Sequence, residues 1–389
     1  MADTPDHSAR DQHLFGEGPK RILSLDGGGV RGVITVAFLE RIEKIISETR
    51  KKETKLCEYF DLVGGTSTGA IIAGGIALGQ TTAQLKDVYH RLAPKVFRTS
   101  HFRVPFLQAK FDVDLLRGEI AAIVKDRTLD SADLLTGFAL IAKRLDTGSP
   151  WILSNNPRAP YWPDNRDYLL SSLVRASTAA PSYFDPETIT VMPKHGDVPE
   201  QRGLFVDGGV SPHNNPSLAL LMMALHSPFK MNWKTGIDNL TVVSVGTGGY
   251  RFKLGIDELG RIPNLTIIYS SMMSMMDDAT LMVLTMMQWF GLALTPWVIN
   301  SEVGTLQHEM PAGGAMFRYL RYNVRLETEW LNRHLGMRLS DDQLASVRRM
   351  DDPDSIPLAY EIGQRAAEQQ VKPEHWGDGP DRNTPSDPL

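Results

Sequence analysis

The chain has 389 residues, 42% hydrophobic and 22% charged, with a formal net charge of -5. That is enough for one large α/β domain with appendages, and the charge balance excludes a general nucleic-acid binder, which needs a basic face. A single cysteine, Cys57, excludes an intramolecular disulfide and fits a reducing compartment; its place just before an apolar strand marks it for packing rather than nucleophilic attack.

Residues 1–18 are polar and of mixed charge, lack the apolar core of an export signal, and are expected to form a tail. From Arg21, ILSLDGGGVRG reads as a short strand opening into Gly27, Gly28, Gly29, Val30, Arg31 and Gly32, after which Ile34, Phe38, Ile42 and Ile45 recur at helical spacing. Strand, loop and helix satisfy G-x-G-x-x-G, the dinucleotide pattern. The acidic residue that should follow about 20 positions later falls in the polar RKKETK run. No P-loop Gly-Lys-Ser/Thr follows either. What the loop offers is consecutive backbone N–H groups at a helix N-terminus, which suit a tetrahedral oxyanion as well as phosphate. A non-catalytic nucleotide- or phosphate-binding module is therefore an alternative function.

The stretch FDLVGGTSTGAIIAGGIALG, residues 60–79, is an apolar strand, a sharp turn and a helix rich in Ala, Ile and Gly. It contains G-x-S-x-G with Ser67 at the turn and Gly65 and Gly69 on either side, where strand and helix come too close for side chains. Thr81–Leu92 is a further helix. Residues 89–111 carry Arg91, Lys95, Arg98, Arg103 and Lys110 among Phe97, Phe102 and Phe106 with no acid, and Pro94 and Pro105 disfavour one long helix there. Phe138–Ala142 and Trp151–Leu153 read as strands, residues 155–167 as a Pro- and Asn-rich loop, and Leu169–Ala180 as a helix ending before Pro181.

Leu204–Val210 places Asp207 at a strand end, with Gly208 and Gly209 letting the chain turn at once. Taken alone it is a turn aspartate. In parallel α/β sheets, however, sites assemble at the carboxyl ends of strands, so Ser67, the Gly27–Gly29 loop and Asp207 are expected on one edge of one sheet. Asn214-Asn215-Pro216 starts an apolar helix. His213 and His226 follow Asp207 in the order of a Ser-Asp-His triad and are alternative bases; the bland reading of both is packing or surface. No metal-ligand spacing or calcium loop occurs, so no metal and no cofactor is expected. The charge-free run 279–301 raises a transmembrane question. Its threonines, Gln288, Gly291 and Pro296 argue instead for a helix lining an irregular apolar pocket, with Met275, Met276, Met282, Met286 and Met287 as adaptable packing. Helices are expected over Ser340–Met350, opened by a Ser340/Gln343 capping box, and over Ser355–Gln370.

The ordered set DGGGVRG, GTSTG, ASTAAPSYF, VDGGV and NNP, with VVSVGTG at Val242–Gly248 and YLRYN at Tyr319–Asn323, resembles the patatin-like phospholipases, in particular bacterial lipid acyl hydrolases, over roughly residues 21–326. The resemblance implies a three-layer α/β/α sandwich around a mostly parallel central sheet and a Ser–Asp dyad without histidine. Ser67 takes the nucleophile position, Asp207 the base position, Gly27, Gly28 and Gly29 the oxyanion-hole positions, and Arg31 the loop's basic position; Gly32, Gly65, Gly69, Gly208 and Gly209 complete the motifs. It implies cleavage of fatty acyl esters in phospholipids or other acyl lipids, of phospholipase A or lysophospholipase type; an acyltransferase on the same fold is a further alternative. The expected organisation is a tail at 1–18, a catalytic domain at 19–326 with core motifs in 21–226 and a C-terminal completion at 227–326, a helical extension at 327–372, and a disordered tail at 373–389. The expected location is cytoplasmic, with peripheral contact at the inner membrane surface through residues 89–111, whose cations and phenylalanines suit an anionic bilayer.

Overall fold

Neighbouring residues of the inner strands part company. Ile22 and Leu23, Leu62 and Val63, Val242 and Val243, and Tyr319 and Leu320 are all buried, yet the two members of each pair join two separate apolar clusters. Because side chains alternate across a strand, these clusters are the two faces of one sheet, and both must be covered.

The computed structural model describes residues 7–97, 111–192, 199–251, 264–377, 385–386 and 388–389. The first half of the described chain forms α1 (Ser8–Phe15), β1 (Lys20–Leu25), α2 (Gly32–Arg50), α3 (Leu56–Tyr59), β2 (Leu62–Thr66), α4 (Thr68–Ala77), α5 (Thr82–Val96), α6 (Val113–Val124), β3 (Gly137–Arg144), β4 (Ser149–Ser154), α7 (Trp162–Asn165) and α8 (Leu170–Ser177). The second half forms β5 (Glu187–Met192), β6 (Gln201–Asp207), α9 (Ser217–Leu225), β7 (Leu240–Val245), α10 (Asn264–Phe290), β8 (Leu292–Ala293), β9 (Arg318–Tyr322), α11 (Thr328–Leu335), α12 (Asp341–Arg348) and α13 (Ile356–Gln370). One face is covered by α2, α4 and α13 through residues such as Phe38, Ile72 and Ile362. The other is covered by α1, α9 and α10 through Leu14, Leu220, Met223, Val283 and Met287. The expected three-layer α/β/α architecture is met.

The sheet is parallel from β3 through β2, β1, β7 and β9 to β8. Only β4 and β6 run against β3, with β5 against β6. This antiparallel edge positions the site. Strand β2 pairs with β3 as far as Thr66 opposite Ile141, and β6 takes over at the next position, with Asp207 opposite Ala142. The Gly137 N–H donates to Asp61 O and the Leu145 N–H to Leu204 O. Both numbers are odd, so both bonds leave the same flank of β3. Strands β2 and β6 therefore lie end to end and run toward each other, and their carboxyl ends meet.

The structure differs from the expected bounds in several places. The supposed polar tail at 1–18 contains α1, whose Arg10 and Leu14 are buried, with Arg10 ion-paired to Asp130. Helix α5 continues through Pro94 to Val96, since a proline in the last turn removes only one bond. The expected disordered tail at 373–389 begins with a helical turn at Pro373–His375; Trp376 is buried, and His375 Nδ1 lies 2.7 Å from Tyr322 Oη. Helix α10 is longer than the charge-free run suggests and starts before it. Met287 is buried as expected, but Met275 and Met282 are 70% and 48% exposed, so only part of the methionine set packs. Among the described residues no helix is long and apolar enough to cross a membrane.

Candidate active site

Ser67 occupies a backbone conformation that an L-residue adopts rarely, φ 56° and ψ -123°, between β2 and α4. Such a conformation costs on the order of 1–3 kcal/mol and persists only where the surroundings enforce it. Here they do. The Ser67 N–H donates to Ser177 Oγ at 2.9 Å, and Ser177 donates in turn to Ile141 O at 2.6 Å. Thr66 Oγ1 donates to His213 O at 2.6 Å. A Cβ on Gly65 would stand 2.1 Å from Gly69 C and O, and one on Gly69 would stand 2.2 Å from Leu25 O, so the elbow closes only with glycine at both positions.

Across the strand junction, Ser67 Oγ donates to Asp207 Oδ2 at 2.6 Å, and Asp207 Oδ1 accepts from the Gly209 N–H at 2.7 Å. Asp207 is 5% exposed. Burial pushes its carboxyl up from 3.8 to about 6, against the hydrogen bonds from Ser67 and Gly209 and the charge of Arg175. Gly208 is required where β6 turns, because a Cβ there would meet Ile141 O at 2.4 Å.

The glycine loop faces the same space. Gly28, Gly29, Ser67 and Asp207 line one cavity of about 270 Å³ whose remaining walls include Ile71, Leu92, Phe97, Leu116, Phe184 and Met276. The Gly27 N–H is occupied by Asn214 O at 3.1 Å, and the Val30 and Arg31 N–H groups by Met350 O and Gly28 O. Among the described residues the Gly28 and Gly29 N–H groups have no acceptor, which leaves two donors beside Ser67 at the start of α2. Gly27 serves sterically: its Cβ would sit 2.5 Å from Asn214 Oδ1 and 3.1 Å from Ser67 Cβ. Gly32 lies against Tyr89 Oη and Thr68 Oγ1, which hydrogen-bond to each other.

Arg31 is not brought to the cavity. It is buried, donates to Arg348 O at 3.4 Å, and feels the charge of Asp277. His213 is not bonded to Ser67 or Asp207; its main chain serves the elbow, and burial lowers its imidazole pKa. His226 is exposed at the end of α9. Cys57 is buried, its thiol pushed up to about 11, in keeping with packing. Of the 89–111 segment, Tyr89, Leu92, Ala93 and Phe97 line the cavity, and Arg91 and Lys95 pair with Glu119. Arg98, Arg103, Lys110, Phe102 and Phe106 lie outside the described residues. No group of three or more His, Cys, Asp or Glu suited to a metal ion occurs among the described residues.

Sequence reasoning assigned no role to Ser177, Thr247 or Met350. Ser177 stands in ASTAAPSYF and Thr247 in VVSVGTG, but the partners that give them a role are distant in sequence. Thr247 Oγ1 donates to Gly27 O at 2.8 Å.

The profile described as patatin-like phospholipase matches residues 23–221. Among curated proteins, the chain is 30% identical over 239 residues to a cGAMP-activated phospholipase of Escherichia coli (strain TW11681), covering 60% of this chain and 64% of that protein. It is 28% identical over 243 residues to patatin group M-1 of Solanum tuberosum, covering 58% of this chain and 60% of that protein. The chain thus spans less than two thirds of either relative's length. The solved structure of human GIVD cytosolic phospholipase A2 overlays 95% of this chain and 61% of that one at 11% identity and a TM-score of 0.39, too loosely to bear on function.

Proposed function

This chain belongs to the patatin-like phospholipase family, and we propose that it is a serine acyl hydrolase of phospholipids or related acyl lipids. The observation that carries the reading is the 2.6 Å bond from Ser67 Oγ to Asp207 Oδ2 in an apolar cavity also lined by Gly28 and Gly29, whose N–H groups have no acceptor among the described residues.

In this mechanism Asp207 takes the Ser67 proton as Oγ attacks the ester carbonyl. The carbonyl oxygen becomes negative and is held by the Gly28 and Gly29 N–H groups, which need no reorganisation. Protonated Asp207 then gives its proton to the departing alkoxide, leaving an acyl-enzyme. A water that loses its proton to Asp207 hydrolyses that intermediate and regenerates the serine. The raised carboxyl makes Asp207 a stronger base than an ordinary aspartate while leaving it mostly ionised at neutral pH. An ester suits so weak a base better than an amide does. The apolar walls fit an acyl chain, and the direct Ser–Asp bond leaves no place for a histidine between them.

The test is covalent labelling. A fluorophosphonate probe should modify wild type at Ser67 and leave Ser67→Ala unmodified, while phospholipid turnover disappears in the same variant; equal labelling of the two would sink the nucleophile. Because the E. coli relative is named for activation by cGAMP, turnover is measured with and without that nucleotide. Adding alcohol or thiol acceptors distinguishes acyl transfer, which would divert acyl product away from free fatty acid.

A further inference from the structure

The N–H groups of Gly28 and Gly29 point to a common donor pair only if the loop between β1 and α2 keeps its shape, and part of what holds that shape lies far outside residues 23–221. Val30 donates its N–H to Met350 O at 2.9 Å, and a Cβ on Gly29, whose φ is +59°, would stand 2.1 Å from the same oxygen. The Met350 carbonyl thus sits against the loop at its left-handed residue, where only glycine fits. Arg31, at the end of the loop, reaches Arg348 O.

Met350 lies in the turn between α12 and α13, and that turn is itself tied down. Arg348 Nε donates to Leu326 O at 2.9 Å, and its guanidinium lies 4.9 Å from the centre of the Tyr250 ring. Asp352 accepts from Ser346 Oγ at 2.9 Å and from the Asp354 N–H at 3.1 Å. Beyond the turn, α13 packs so closely on α2 that a Cβ on Gly363 would be 2.9 Å from Ala37 Cβ and 3.0 Å from Ile34 Cα. Both ends of the contact are fixed to the helix that the glycine loop begins.

We infer that Met350 is a positioning residue for the oxyanion hole, and that the turn Arg348–Asp352 is a working part of the active site rather than of a separate helical extension. The inference rests on the hydrolase reading above. Without the Met350 carbonyl the buried Val30 N–H has no acceptor, and Gly29 is free to leave its left-handed conformation. The loss then falls on the transition state, because the hole stabilises charge that the bound ester does not yet carry.

The experiment uses the full-length protein and a soluble short-chain ester. Asp352→Ala and Arg348→Ala loosen the turn without touching the cavity; Met350 itself lines the cavity, so Met350→Leu serves as the conservative variant that keeps the carbonyl and most of the volume. Removing an oxyanion donor outright lowers turnover by about 10²–10³. Displacing the loop should therefore lower kcat at least about 10-fold in Asp352→Ala and in Arg348→Ala. KM should stay within about 2-fold, and affinity for a trifluoromethyl ketone, which mimics the tetrahedral intermediate, should fall in parallel with kcat. Met350→Leu, which keeps the carbonyl, should lose much less kcat than either turn variant. Thermal unfolding identifies any variant that fails to fold, and Asp352→Asn then replaces it as the milder disturbance. Folded, probe-labelled variants with unchanged kcat, or kcat lost without loss of ketone affinity, would overturn the inference alone. Absence of labelling at Ser67 in wild type would remove the hydrolase reading and this inference together.

Discussion

Asp207 holds two opposing demands in one side chain. Burial raises its carboxyl to about 6 against the opposing bond from Ser67, so the folded protein binds its proton more tightly than the unfolded chain does. The associated stability is fully present below pH 3.8 and is lost as pH rises through 6. At neutral pH the ionised group costs about 3 kcal/mol. Catalysis runs the other way, since only the ionised base can take the serine proton. Turnover per unit KM should therefore rise through a pKa near 6 and level off above it. Asp207→Asn should lower kcat at least ~10²-fold while unfolding at a higher temperature than wild type at pH 8, with the advantage fading toward pH 4. Stability profiles of the two proteins that run parallel across that range would mean that burial does not set this carboxyl. The histidine variants His213→Ala and His226→Ala should keep most activity, because neither imidazole is bonded to the serine or the aspartate.

At the scale of elements, the glycines around Ser67 are not interchangeable. In α4, Gly69 meets the Leu25 carbonyl, whereas a Cβ on Gly74 would find nothing nearer than the Phe138 ring at 3.9 Å. Gly69→Ala should be destabilising by about 3 kcal/mol or more, as backbone must move, while Gly74→Ala should gain roughly 1 kcal/mol from helix propensity. Urea unfolding of the two variants measures the contrast. The same contrast explains what was legible in the sequence. Ser67, its flanking glycines, the glycine loop and the strand-terminal Asp207 are local patterns, and each motif carries its own geometry within ten residues. The end-to-end meeting of β2 and β6 is not local, because nothing in residues 201–207 says that the strand runs against β3. Nor could spacing reveal that Asn214 takes the Gly27 N–H, or that a proline in the last turn of α5 leaves the helix intact. Arg31 shows the same limit: its place in the loop is local, but its guanidinium donates to the Arg348 carbonyl, over 300 residues away.

Across the whole molecule, the ground beneath the glycine loop is an ion pair that no single motif contains. Asp26, the last residue before Gly27, receives Arg321 Nη1 at 2.9 Å and Nη2 at 2.6 Å, and Nη1 also donates to Ser244 Oγ at 2.7 Å. The three residues lie on or beside β1, β9 and β7, with β7 between the other two, so the pair spans the parallel sheet at the end where the site lies. All three are buried, Asp26 and Arg321 to 4% and 3% exposure. A fully desolvated bidentate pair gains little over an apolar substitute of the same volume, yet breaking it strands a charge. Arg321→Met should therefore be destabilising by about 3–5 kcal/mol, whereas Asp26→Asn combined with Arg321→Met should recover most of that loss. The cycle is completed by Asp26→Asn alone, with stability read from urea unfolding. A large favourable coupling between the two positions is expected; near-additive losses would mean that the pair is held by the sheet rather than holding it. If the coupling is found, the double variant separates two roles, since it restores stability while leaving Ser244 without its guanidinium partner. A kcat below wild type in that well-folded protein would show that the pair also sets the position of the loop above it.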